Sequence, residues 1–125
     1  MSKQLMEIVL PRLARPLHDH LERFRQGLLT ERQFTRQFEK VLQRQHRWLA
    51  KHGVAAGRAA VAIHGAVIVL SLAGLRAESQ DTKVPLEVLE NRAVREAALD
   101  VSQTYGVERL RAADAIARII ARYGE

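Results

Sequence analysis

"RAAVAIHGAVIVLSLAGLR", Arg58 to Arg76, sets seventeen uncharged residues between two arginines in a chain otherwise rich in charge. Such a run either crosses a membrane or forms the middle of a helical bundle. A spanning helix needs about 20 predominantly apolar residues, and this run, with His64 inside it, lies at the short end. The flank before it is strongly basic and the flank after it neutral to acidic, the arrangement of a span with a cytoplasmic N-terminus. Against a span, the run is built from Ala and Gly more than Leu and Phe, and His64 and Ser71 share a narrow polar seam with Ala60. Apolar stripes elsewhere also need a common partner: Phe34, Phe38, Val41, Trp48 and Leu49 form one, and Leu110, Ile116, Ile120 and Tyr123 another. A helix apolar nearly all round supplies that partner. The expected reading is a central core helix over about 54–77, with the single-span membrane protein as the alternative.

Outward from this segment, punctuation falls at helical lengths. Pro11 and Pro16 are expected to divide the N-terminal region into a short helix near 3–10 and another near 12–26, closed by Gly27. Thr30 followed by "ERQ" has the form of a capping box, with Gln33 reaching back, and the helix it opens should run to His52 and stop at Gly53. "ESQDTKV" reads as a polar turn before Pro85, which suits the first position of a new helix. That helix should close at Gly106, and "VERLRAADAIARIIARY" makes the last. Ala55, Ala59, Ala62, Ala66 and Ala73 would allow close helix approach. No alternating strand pattern of useful length interrupts the series. The expected fold is all-α: a compact single-domain bundle of about five helices spanning 1–125.

Composition agrees. Hydrophobic residues make up 47% and charged residues 27%, which argues against disorder, and only 5% aromatics leaves a core of Leu, Ile, Val and Ala. The absence of cysteine excludes disulfides, thiolate catalysis and cysteine-ligated metals. The N-terminal stretch, interrupted by Glu7 and Pro11, is too polar and too short for a secretory signal, so a cytoplasmic location is expected.

Charge is uneven. Residues 1–58 carry twelve Lys/Arg against five Asp/Glu, and 59–125 carry eight against nine. The excess gathers on one helix face: at about 100° per residue, Arg32, Arg36, Lys40, Arg44, Arg47 and Lys51 fall within a sector roughly 120° wide along about 28 Å of helix. Like charges at i,i+4 cost a few tenths of a kcal/mol per pair, so a helix shaped only for stability would interleave glutamates there. Arg111, Arg118 and Arg122 add a second basic side on the last helix, relieved by Asp114. Arginine-rich faces engage phosphates through forked hydrogen bonds and counterion release.

Catalytic and metal motifs are sparse. His18 and His20 in "HDH" point about 200° apart on a helix, and His18 with Glu22 makes only a two-ligand pair. "RWLAKH", Arg47 to His52, is similar to the R-x4-H spacing of HEPN-type ribonucleases, and Arg58 to His64 is one residue longer. Trp48 and Ala59 stand where that family often has a polar residue, so the resemblance covers two residues at each match. His64 is expected to be a core histidine with its nitrogens hydrogen-bonded. No phosphate loop, nucleophile elbow or carboxylate cluster is present. No helix-turn-helix pattern or exposed aromatic ladder suggests base reading.

These features lead to the expectation of a non-catalytic protein with no metal or cofactor. It would bind a nucleic-acid backbone with little sequence specificity, as a subunit of a larger nucleoprotein complex with other protein subunits. Helical small subunits of CRISPR effector complexes are similar in size, helicity and positive charge. The remaining alternative is a helical adaptor or homo-oligomer whose basic face meets an acidic partner.

Overall fold

The structure, a computed structural model, describes residues 3–124 as five helices. They are α1 (Lys3–Arg25), α2 (Glu31–Lys51), α3 (Ala56–Thr82), α4 (Leu86–Tyr105) and α5 (Arg109–Tyr123). α3 packs against all four others, α1 also packs on α2, and α4 on α5. Among the described residues, the backbones of α1 and α2 do not approach those of α4 and α5. The bundle is therefore two three-helix groups that share α3.

That double membership explains why α3 is apolar nearly all round. The five consecutive residues Ala59, Ala60, Val61, Ala62 and Ile63 are all buried, which no helix with a single packed face can achieve. Small side chains let neighbours come close. Gly57 lies against Val107, Gly65 against Ile119, and Leu72 against Gly124, so α3 and α5 run in parallel with α4 returning between them. Of the alanines expected at close contacts, Ala59, Ala62 and Ala66 are buried, while Ala55 and Ala73 are exposed.

The N-terminal region corrects the expectation of two helices. α1 runs unbroken through Pro11 and Pro16. Leu5, Met6, Val9, Leu13 and Leu17 are all buried along one stripe, and a break at Pro11 would turn half of them off the core. An interior proline costs roughly 3 kcal/mol, whereas each large apolar side chain buried contributes about 1.5–3 kcal/mol. Pro11 itself is exposed, so its missing N–H falls on the solvent side. Packing wins.

The central helix is also longer and slightly displaced: 56–82 in place of 54–77. Most of "ESQDTKV" is helical, with its hydroxyl groups bonded to nearby backbone carbonyls. Thr82 Oγ1 donates to the Glu78 carbonyl at 2.7 Å and Ser79 Oγ donates to the Val84 carbonyl. The chain turns only at Lys83, a non-glycine residue at φ 64°, and Pro85 becomes the residue before α4 rather than its first. Leu110, expected in the α5 stripe, is 73% exposed, and Ile119 takes the buried role beside Ile116 and Ile120.

The glycines of α3 give opposed expectations. A methyl added at Gly65 would sit 2.7 Å from Ile119 Cδ1 and 2.9 Å from Cγ2, while one at Gly74 meets nothing within 4 Å. Gly74→Ala should therefore stabilise by about 0.5–1 kcal/mol through helix propensity. Gly65→Ala should destabilise, its overpacking cost of about 1–3 kcal/mol exceeding the same gain. Urea unfolding of the two variants measures the difference.

Candidate nucleic-acid interface

α2 is amphipathic, and its orientation is set at both ends. Thr30 Oγ1 accepts from the Gln33 amide at 3.1 Å while Gln33 Oε1 accepts from the Thr30 amide at 2.9 Å, the expected capping box. Phe34 packs on Phe24 of α1, with centroids 5.6 Å apart, and stacks on Phe38. At the other end Arg12 of α1 donates from Nε to the buried Gln45 Oε1 at 2.7 Å. Its guanidinium lies 3.9 Å from the Trp48 ring centroid. Phe38, Val41, Gln45 and Leu49 face inward.

This arrangement turns Arg32, Arg36, Lys40, Arg44, Arg47 and Lys51 outward, and all six are exposed. Among the described residues, none of them is ion-paired with a carboxylate. Glu31 and Glu39 border a shallow hollow with Arg32 and Arg36 without neutralising either one.

The α5 cations are exposed too, but the structure does not join them to α2, since α3 stands between the two helices. Arg118 pairs with Asp114 at 2.7 Å, and Arg122 lies 5.8 Å from the Tyr123 ring. Arg111 borders a hollow at the α3–α5 seam together with Arg58. The nine sequence-derived cations therefore form one continuous face of six and a separate set of three.

His52, in the R-x4-H spacing, has a packing role: its ring stacks on Trp48 with centroids 4.0 Å apart, and its Nδ1 lies 2.8 Å from the Trp48 carbonyl oxygen. His64 is half-buried rather than enclosed, and its Nε2 is 3.0 Å from Oδ2 of the exposed Asp100 on α4. Nearby, the His46 ring stacks on Tyr105 with centroids 5.3 Å apart. Burial lowers the pKa of His46 below the usual histidine value, a charge on His64 lowers it further, and Asp100 opposes both. Sequence reading missed this group, because its members come from three helices. The one local signal was His46 at the edge of the α2 apolar stripe, beside Leu42 and Leu49. Among the described residues no three His, Asp or Glu side chains are grouped to hold a metal ion.

The chain matches no protein-family model, no curated protein and no solved structure.

The Arg12 contact supports a test of what holds α2. Arg12→Ala strands the buried Gln45 carbonyl and uncovers Trp48, and should cost about 2–3 kcal/mol. Adding Gln45→Leu should recover a large part of the loss, since removing both polar partners is far less costly than removing one. Denaturant midpoints of the single and double variants measure this coupling.

Proposed function

We propose that this chain binds a nucleic-acid backbone through the outer face of α2 and acts as a non-catalytic subunit of a larger nucleoprotein assembly. The observation that carries this reading is the set of six exposed, unpaired cations on one face of one helix. Their mutual repulsion is a standing cost, and a polyanion converts it into binding energy by displacing its own counterions. Four of the six are arginines, whose planar forks match phosphate oxygens. The face holds no aromatic side chain for stacking on bases, which favours backbone contact with low sequence specificity. The cations on α5 serve as a secondary contact at most, being on the far side of α3.

A second reading draws on α3, which is long and apolar enough to cross a membrane by length and composition. Four helices packed around it favour the core role. The chain should stay in the aqueous phase on detergent phase separation; recovery in the detergent phase supports the span.

Changing Arg36, Lys40 and Arg47 together to Gln should lower affinity for unrelated duplexes about equally. It should also flatten the plot of log K against log salt by roughly two to three units, one counterion term per lost phosphate contact. Stability should hold or rise. An unchanged salt slope, or no measurable affinity at low salt, refutes the reading and leaves the face to an acidic protein, an anionic membrane or plain solvent.

A further inference from the structure

α2 and α4 lie on α3 without backbone contact between them, and four side chains bridge the gap. From α2, the His46 ring stacks on Tyr105 of α4 at an interplanar angle of 14°, with Nε2 3.4 Å from the Tyr105 hydroxyl. From α3, His64 reaches Asp100, which stands a little over one turn before Tyr105 on α4. Charges on His64 and Asp100 are both felt at His46. His64 pairs with the carboxylate directly, while His46 contacts Tyr105 of the same helix. On α1, the other helix against α2, Arg12 is turned to Gln45 and Trp48, and α5 does not approach α2.

We propose that His46, His64, Asp100 and Tyr105 form a proton-operated latch between α2 and α4, closed while His46 is neutral and opened when both imidazoles are charged against the single carboxylate. A neutral His46 with a bare Nε2 accepts the Tyr105 hydroxyl. A proton at Nε2 reverses that bond, the imidazolium now donating to the hydroxyl oxygen, so what strains the closed form is a second positive charge near His64 in a half-buried site where charge is poorly solvated. The latch ties the C-terminal half of α2 to α4, beside the Arg12 contact that ties the same half to α1. The N-terminal half is held separately by Thr30 and by the Phe24–Phe34 contact, so opening is local.

The direction with pH follows from the lowered proton affinity of folded His46. As pH falls below the ordinary histidine value of 6.5, the unfolded or opened chain takes up the proton before the closed form does. The closed form is therefore fully favoured above that value and loses ground below it. Acid opens the latch.

Amide hydrogen exchange of the full chain, corrected for intrinsic rates, tests this at about pH 7.5 and about pH 5. Amides in 43–51 and 101–105 should lose protection in acid, while those of 116–120 in α5 change little. His46→Phe keeps an aromatic ring on Tyr105 but cannot take a proton, and should abolish the acid response although His18, His20 and His52 remain. Equal protection at both pH values, a uniform loss over all helices, or an acid response that survives His46→Phe overturns the proposal. If His46→Phe does not fold at neutral pH, the imidazole proton NMR titration of the wild type and His64→Gln decides instead. A His46 midpoint that rises in His64→Gln supports the latch, and an unmoved midpoint overturns it.

Discussion

The structure depends on one helix having to satisfy two cores. α3 is buried by α1 and α2 on one side and by α4 and α5 on the other, so it has little surface on which to place charge. Its small residues shorten the distance to α5, and its Ile and Leu side chains fill both groups. A helix of this kind meets the length and hydropathy criteria of a membrane span for the same physical reason that it suits a bundle centre: neither setting supplies water to its sides. What separates the two settings is the presence of four other helices with apolar stripes, and here those stripes close around α3.

The outer helices then divide the labour. α1 and α2 carry nearly all the excess positive charge and α3 to α5 almost none. α2 turns one edge to α1, through Gln45 and Trp48, and the other to α4, through His46. The basic face lies between these edges. A change in the seating of the C-terminal half of α2 at either edge would move Arg44, Arg47 and Lys51, the part of the basic face that half carries.

The charged residues of the two halves have different fates. On α5, Arg118 has Asp114 one turn away, an arrangement that contributes a few tenths of a kcal/mol and needs no partner to explain it. Among the described residues α2 has no such pairing, although Glu31 and Glu39 are close in sequence. The contrast is one of density: six cations share one face of α2, and it is on this that the proposed contact with an anion rests.

Much of the fold was legible in the chain because it rests on local physics. Periodicity identified the apolar stripes of α2 and α5 and the all-round apolar α3, Thr30 and Gln33 announced their capping box, and Gly53 and Gly106 marked helix ends through their positive φ. The outward direction of the six α2 cations also followed from spacing alone, since a helix opposes a polar sector to an apolar one wherever it packs. Tertiary structure decided what local rules had wrong or silent. It carried α1 through two prolines, because the buried stripe from Leu5 to Leu17 outweighs the missing backbone bonds. It set the α5 arginines apart from those of α2 by placing α3 between them. It also brought His46, His64, Asp100 and Tyr105 together from three helices, a meeting invisible in sequence because contact across helices depends on their relative rotation, which only the packed core determines.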